Sequence, residues 1–491
     1  MASTATCSDR VLRALLPSFV SDALFPHDKL VSRVHPTSYL DGLRGLASMI
    51  VFFCHYTEEN HKYLVPAYGL NQGDGPSAWI QLPFLRAIFS GRPMVHIFFV
   101  ISGFALSYKP LQAIHARQLE KCFSILSSST FRRPIRLFLP CIVETFMVMV
   151  LVQAGWLYDP DWLYHALPTF SAQFSVWTDA VLHSTTWPWS WDDTLPWKFD
   201  PHLWSIPIEF AHSLLLFVVI MMLSRVTLRI RQSVVVGLMA YCMTCGKWAA
   251  FEFLGGMFLA ELHLLKAERP KDWESSELTP SPRRPAEDRW MGFRLAFHLS
   301  LIVWGIFVGG WPNSDWDKTP GIRWYLSKTP KAFEGEDRPQ KFWFALSAVL
   351  TVWSCGELRF IRRFLENKTS QYCGRISFAL YIVHGPVLAL VQEHIIGHMM
   401  KPAEGEANTP DFHPAVPGYG LKGHFGTATP TARTICWFFG LLGLGPIIIW
   451  VADIFWRAVD KPVIALARWL ETLCLDEPKD EEPGALRRGI Y

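Results

Sequence analysis

The sequence carries little charge for its length. Only 18% of its 491 residues are Asp, Glu, Lys or Arg, and 46 basic against 43 acidic residues leave a net charge of +3. So small an excess excludes nucleic-acid binding driven by bulk basicity. Half of the residues are hydrophobic, and the chain has 22 tryptophans. That composition also excludes an intrinsically disordered chain.

The sequence also lacks a disulfide framework and a secretory leader. Cys242 and Cys245 have a CxxC spacing but lie in an apolar run without redox or zinc context, which favours packing thiols. A signal peptide is not expected, because Val11–Leu24 is interrupted by Arg13 and Pro17. The apolar residues of this stretch recur at helical spacing and predict an interfacial helix.

Long apolar runs recur along the chain and predict an all-α, polytopic membrane protein with about ten transmembrane helices. The predicted spans are Leu40–Tyr56, Pro93–Leu111, Ile135–Trp156, Leu203–Leu223, Ser233–Cys245, Trp248–Leu265, Phe293–Gly310, Phe342–Leu358, Ile376–Met399 and Thr434–Trp456. About two thirds of the Lys and Arg residues fall on one side of this arrangement, which the positive-inside rule makes cytosolic. Both termini are then cytosolic, in an endomembrane or the plasma membrane.

Ionisable side chains within spans are costly in a bilayer and are therefore candidates for function. They are His55, His96, Glu144, Glu209, His212, Glu252, His384 and Asp453. The alternative for any one of them is a paired structural group or a position nearer the membrane surface.

Arg44 and His55 lie on one stripe of the first predicted span. They are eleven residues apart, which places them about 20° apart around a helix and roughly 16 Å apart along it. A phosphorylated carrier could bind at Arg44 while its extended arm reaches His55. Asp41 can cap the start of this helix, and Gly42 and Gly45 would let another chain approach closely. The alternative is a snorkelling arginine and a core histidine.

A second basic motif begins the third predicted span. Arg133 and Arg136 share one helical face beside Pro134, and guanidinium groups at a helix N-terminus suit phosphate binding. The alternative is a positive-inside anchor. Two further motifs place Glu209 just after Pro207 and His384 just before a Gly-Pro pair, where freed backbone groups lie beside an ionisable side chain.

Together these motifs resemble the acyltransferase-3 family of integral membrane O-acyltransferases, in the family's order along residues 38–470. The stretches that carry the resemblance are Leu40–Gly45 continuing to His55, Phe98–Phe104, Arg133–Arg136, Leu203–Glu209, Ile376–His384, Val459–Pro462 and Ala467–Leu470, the last two being similar to the fungal branch. The expected organisation is a cytosolic segment 1–37 containing the interfacial helix, a transmembrane domain 38–470 with a cytosolic loop near 266–292, and a disordered cytosolic tail 471–491.

The resemblance implies acyl transfer, commonly of acetyl, from an acyl-CoA co-substrate to a hydroxyl acceptor, with no permanently bound cofactor and no metal. The family's patterns fall on Arg44 and His55 and on Arg133 and Arg136. They assign CoA binding to the three arginines and catalysis to His55, with Glu209 and His384 as further catalytic candidates. His55 would act as general base, since an imidazole titrates near neutral pH; Glu209 would orient an imidazole or pair with an arginine.

Several alternatives stay open on the sequence. An acyl-His55 intermediate is possible, whereas Cys54 points about 100° away from the stripe. The tryptophan-rich segment Trp156–Trp204, taken as a loop, could form an acceptor platform, a lid or interfacial anchors. The acceptor could be a small molecule of fungal secondary metabolism or a cell-surface glycan. A proton-coupled transporter and a membrane scaffold are the rival classes. The oligomeric state is open, and the expected partners are the two substrates and membrane lipid, without nucleic acid.

Overall fold

The computed structural model describes residues 16–24, 35–70, 76–157, 166–190, 199–268, 285–335, 338–391, 394 and 429–475. Within these ranges the chain is built from helices and contains no β-strand, so the predicted all-α class is confirmed. The helices are α1 Ser18–Leu24, α2 Ser38–Asn60, α3 Arg92–His115, α4 Leu119–Gln153, α5 Phe170–Ser190, α6 Ser205–Leu223, α7 Leu228–Thr244, α8 Trp248–Glu268, α9 Pro285–Gly309, α10 Ile322–Ser327, α11 Arg338–Glu357, α12 Arg359–Leu365, α13 Lys368–Val391, α14 Pro430–Phe455 and α15 Lys461–Cys474.

Seven helical segments in the described ranges are long and apolar enough to cross a membrane, and α11 with α12, bent by 95°, makes up to eight. The predicted number of about ten is not confirmed. Two predicted spans account for the difference. Leu40–Tyr56 lies in α2, which carries charges at both ends, and Ser233–Cys245 lies in α7, which has only 17 residues. Both segments are nevertheless helical.

Glycines set the closest helix contacts. A Cβ atom on Gly45 of α2 would lie 2.4 Å from the backbone nitrogen of Gly374 in α13, and one on Gly42 would lie 1.9 Å from the carbonyl oxygen of Leu365. The close approach predicted at these positions is therefore present. Gly103 of α3 and Gly256 of α8 make a second backbone contact of this kind. Small residues at such crossings let the two helix backbones come into van der Waals contact, which larger side chains would prevent.

Two short irregular turns connect the helices near the polar interior. Residues Pro201–Trp204 form a 3₁₀ turn leading into α6, and Asp200 caps it by accepting a hydrogen bond from the His202 backbone. A π-helical turn, Trp456–Asp460, joins α14 to α15. Each turn carries a polar residue, His202 in the first and Asp460 in the second, and each continues directly into the next helix.

The tryptophan-rich segment is not simply a loop, because it contains helix α5. Trp177 of α5 donates a hydrogen bond to the Thr145 hydroxyl at 3.2 Å, and the ring of Trp189 packs 5.5 Å from that of Phe210. These two side chains are therefore part of helix packing. Residues 158–165 and 191–198 of this segment lie outside the described part of the chain.

The first described helix contacts the last span. The Asp453 carboxylate accepts hydrogen bonds from the Ser18 backbone nitrogen at 2.9 Å and from its hydroxyl at 2.6 Å. Arg457 binds the same carboxylate at 2.8 Å and donates to the Leu16 carbonyl. Helix α1 corresponds to the second half of the predicted interfacial helix, and the first half lies outside the described residues. Most of the predicted loop near 266–292 and of the tail 471–491 is also outside them, although α9 already begins at Pro285.

The substitution Gly45→Ala should destabilise the protein, since the new methyl group meets backbone and the helices must separate. Overpacking of this kind typically costs about 1–3 kcal/mol. The measurement is thermal unfolding in detergent. Gly237→Ala in α7 is the matched control, because nothing lies within 4 Å of its Cβ position. Equal melting temperatures for the two variants would contradict this packing.

Candidate functional site

Most of the ionisable side chains predicted within spans have a polar partner. His96 is bonded to Glu252, His212 Nδ1 lies 2.8 Å from the Ile208 carbonyl, Asp453 binds Arg457, and Glu209 binds Arg133. Glu144 differs, since it is buried and neither carboxylate oxygen has a hydrogen-bond partner in the described residues. Two of these pairs, His96–Glu252 and Arg133–Glu209, join different helices, so a polar residue in a span is not by itself a site here.

Three histidines from distant parts of the sequence come together and form the histidine cluster: His55 of α2, His202 of the 3₁₀ turn and His384 of α13. The ring centroids of His55 and His202 are 4.2 Å apart, and His384 lies 5.1 Å from the first and 4.9 Å from the second. The close α2–α13 crossing brings His55 and His384 to the same depth. Two of the three were predicted as catalytic, and the fold adds the third.

His202 is held from three sides. Its Nδ1 lies 2.7 Å from Asp200 Oδ1, and the same oxygen accepts its backbone N–H at 2.9 Å. The Tyr381 hydroxyl donates to the His202 carbonyl at 2.5 Å. Gly385 packs behind the ring, where a Cβ would lie 2.4 Å from Nδ1. The orientation of this imidazole is therefore fixed.

The other two rings also use Nδ1 to bind oxygen. His384 Nδ1 lies 2.7 Å from the Tyr381 carbonyl, and because a carbonyl only accepts, that nitrogen carries the proton. His384 Nε2 is then an acceptor, and it is buried with no hydrogen-bond partner in the described residues. His55 Nδ1 lies 3.3 Å from Glu58 Oε2, while Asn313 donates to the other oxygen of Glu58.

In the described part of the chain, the histidine cluster is the one group of three side chains with the spacing to hold a metal ion. One ring nitrogen from each lies within 4.8 Å of the others. In each of the three rings, Nδ1 binds a carboxylate or a carbonyl oxygen. Histidines that bind a metal through one ring nitrogen commonly bind such an oxygen through the other. The sequence-based expectation of no metal site therefore stays a prediction.

The three predicted CoA-binding arginines are the arginine group: Arg44 of α2 with Arg133 and Arg136 of α4. Arg133 is buried and already bound, since Nη2 lies 2.8 Å from Glu209 Oε1 and Nε 2.7 Å from the Ser213 hydroxyl. Ser102 donates to the same Glu209 oxygen. Of the two partners considered for Glu209, the structure has the arginine. Its catalytic role stays a prediction, and its contacts are those of a residue that positions Arg133.

Arg44 and Arg136 have the more accessible cations. The side chain of Arg44 is 29% exposed and lies 3.8 Å from Asp41, and Arg136 is an exposed residue near both other arginines. Guanidinium groups that keep free donors can bind a phosphate. The arginine group thus contains one structural and two available members. Arg44 shares helix α2 with His55, and the offset of eleven residues places the two about 16 Å apart along the helix.

Asp200 and the role of His202 were missed by the sequence analysis. The signal was local: an Asp-Pro-His triplet begins a helix, and Asp before Pro is typical of a capping turn that binds a following backbone N–H. Cys54, by contrast, is buried against Gly91 and takes no part in the histidine cluster.

Comparison with known proteins gives a match over most of the chain. A family model of the acyltransferase-3 type, described as an acyltransferase domain, matches residues 37–457. The match therefore includes both the histidine cluster and the arginine group. No solved structure matches significantly.

Curated relatives come from fungi. O-acetyltransferase PaAT-1 of Phomopsis amygdali is 28% identical over 511 aligned residues, covering 97% of this chain and 91% of that protein. Acyltransferase clz18 of Cochliobolus lunatus is 25% identical, covering 71% of this chain and 82% of its own length. Acyltransferase R4 of a Phoma species is 24% identical, with 73% and 84% covered.

The substitution Arg133→Ala should lower stability strongly, because it leaves the Glu209 carboxylate without its cation in a span. Breaking a buried pair from one side costs about 3–5 kcal/mol. Adding Glu209→Ala should recover part of the loss, measured as thermal unfolding in detergent. Arg132→Ala is the control, since its bond to Glu471 is more exposed and worth about 1 kcal/mol or less. Equal effects of Arg133→Ala and Arg132→Ala would contradict the structural role.

Proposed function

Because the chain belongs to the acyltransferase-3 family, we propose that this membrane acyltransferase moves an acyl group, in the first instance acetyl, from acyl-CoA to the hydroxyl of a small molecule. The observation that carries the proposal is the placement of two chemically different groups on helix α2. Arg44 lies near its N-terminal end, and His55 lies three turns further along. This offset along one helix separates a phosphate-binding end from a reaction centre.

The arginine group supports CoA as the donor. The phosphates of CoA need accessible cations. Arg44 is partly exposed and Arg136 is exposed, whereas Arg133 is buried and engaged by Glu209. Charge-assisted hydrogen bonds to phosphate are the strong kind. The extended arm of the donor then follows α2 and brings the thioester to the histidine cluster.

At the cluster, His55 acts as general base. Its Nδ1 is held by Glu58, so Nε2 takes the proton of the acceptor hydroxyl. The oxygen attacks the thioester carbonyl, the C–S bond breaks, and the protonated imidazole returns the proton to the sulfur of CoA. One ester and one free thiol result. An acyl-His55 intermediate would use the same residues in two steps.

The acceptor is proposed to be a hydroxylated product of fungal secondary metabolism. Support comes from the fungal relatives, one of which is an O-acetyltransferase matching nearly the whole chain. Acylation of a cell-surface glycan is the second candidate within the same chemistry. The alternative, a proton-coupled transporter, does not explain the arginine group. It also predicts that the protein consumes no acyl-CoA.

His55→Ala should reduce acyl-CoA turnover by about 10²–10⁴-fold, since general-base catalysis contributes on that scale. The assay follows release of free CoA by purified enzyme with a hydroxylated acceptor. His183→Ala is the control, because that histidine is exposed on α5 and is not a member of the cluster. Turnover unchanged by His55→Ala would refute the catalytic assignment, and the absence of acyl-CoA turnover in the wild type would refute the donor.

Arg136→Ala should raise KM for acyl-CoA by about tenfold or more and leave kcat nearly unchanged, because it removes a charge-assisted contact far from the reacting bond. The effect should shrink at high salt, where phosphate contacts are screened. Arg132→Ala, the neighbour that binds Glu471, should leave KM unchanged. Equal KM values for wild type and Arg136→Ala would remove this residue from the donor site.

A further inference from the structure

The histidine cluster combines the ligands and the outer contacts of a three-histidine metal site. One nitrogen of each ring lies within 4.8 Å of its counterparts in the other two rings. Nδ1 of the three rings lies 2.7 Å from Asp200, 2.7 Å from the Tyr381 carbonyl and 3.3 Å from Glu58. An oxygen atom on one side of an imidazole orients the ring so that its other nitrogen can bind an ion.

A small movement of one ring brings the three nitrogens to the separation that a metal ion requires. With metal–nitrogen bonds of about 2.0–2.1 Å and tetrahedral angles, the nitrogens lie about 3.4 Å apart. Asp200 fixes the ring of His202, and Gly385 packs behind that ring. His384 is held by a carbonyl oxygen. His55 has the longest oxygen contact of the three and a side chain that is 29% exposed, so it is the ring with room to move.

The charges around the histidine cluster suit a dication. The side chain of Asp200 is buried, and that of Glu58 lies beside His55, so two carboxyl side chains border the three imidazoles. Carboxylates at these positions compensate a doubly charged ion locally, as a buried cation requires. His384 Nε2 is buried and has no hydrogen-bond partner within the described part of the chain, and an ion supplies one.

We propose that the histidine cluster is an inhibitory site for a divalent transition-metal ion of the zinc type. Three imidazoles and an open fourth position form a ligand set that zinc accepts. The inhibition rests on the proposed function, because the ion takes the lone pair with which His55 accepts the proton of the acceptor hydroxyl. Metal binding and catalysis therefore exclude each other. The ion is a reversible ligand of the enzyme, not a resident cofactor.

The first test measures binding without turnover. Full-length enzyme in detergent, treated with a chelator and freed of any polyhistidine tag, is titrated with Zn²⁺, and Co²⁺ serves as the spectroscopic probe. One ion per chain should bind, and the Co²⁺ complex should show the strong visible bands of tetrahedral coordination. Asp200→Asn should weaken binding by about 10–100-fold, the usual effect of changing an outer contact. His202→Ala, which removes a ligand, should weaken binding further.

Two control variants separate the histidine cluster from other metal-binding side chains. Cys245→Ser removes the exposed thiol of the CxxC pair, and His183→Ala removes an exposed histidine outside the cluster. Both should bind Zn²⁺ as the wild type does. Thermal unfolding without metal checks that each variant folds, and Asp200→Asn carries the comparison if His202→Ala does not. The proposal is overturned if the wild type binds no stoichiometric ion, or if the folded cluster variants keep wild-type affinity.

The second test follows the release of free CoA. Saturating Zn²⁺ should lower turnover by the wild type by about 10²–10⁴-fold, the contribution of a general base, and a chelator should restore it. Mg²⁺ should have no effect, since it prefers oxygen ligands. Turnover that requires Zn²⁺, or that continues with the site filled, would overturn the inhibitory role. If the metal-free wild type consumed no acyl-CoA, the proposed function would fail, and the titration alone would decide the metal site.

Discussion

The backbone contact between α2 and α13 is the constraint on which the site depends. Gly45 and Gly374 let the two helices meet without intervening side chains. Only at that separation do His55 and His384 lie close enough for the turn containing His202 to complete the cluster. A wider crossing would leave three isolated polar rings within the helix bundle, each with its full desolvation cost. The close approach thus converts three unfavourable residues into one polar site.

The arginine group and the histidine cluster form two separate parts of the site, and α2 contributes one residue to each. Glu209 neutralises Arg133 deep in the helix bundle, which leaves Arg44 and Arg136 as the members with available charge. The histidines obtain their partners locally, from Asp200, Glu58 and the Tyr381 carbonyl. One nitrogen of each imidazole is therefore bound, while His384 Nε2 has no partner in the described residues. A ligand with a charged end and a neutral reactive end matches this arrangement.

Much of the architecture could be predicted from the sequence, because apolar length identifies helices and helical spacing identifies faces. The all-α class, the shared stripe of Arg44 and His55, and the close approach at Gly42 follow in this way. What could not be predicted was which faces meet. Arg133 and Glu209 pair across two helices although they are 76 residues apart in the sequence. His202 reaches the cluster because Asp200 caps the 3₁₀ turn that contains it. Helix α5 was missed because its aromatic residues do not form a long apolar run.

The pairing of early with late segments has a consequence for biogenesis. Ser18 is bound by Asp453, 435 residues later in the chain, and α2 packs against α13. During synthesis, Ser18 and α2 leave the ribosome long before Asp453 and α13 have been made. The first helices must therefore enter the membrane with their polar residues uncovered, and the histidine cluster forms only after α13 has been synthesised. A chain truncated before α13 would contain most of the apolar helices and still lack the histidine cluster.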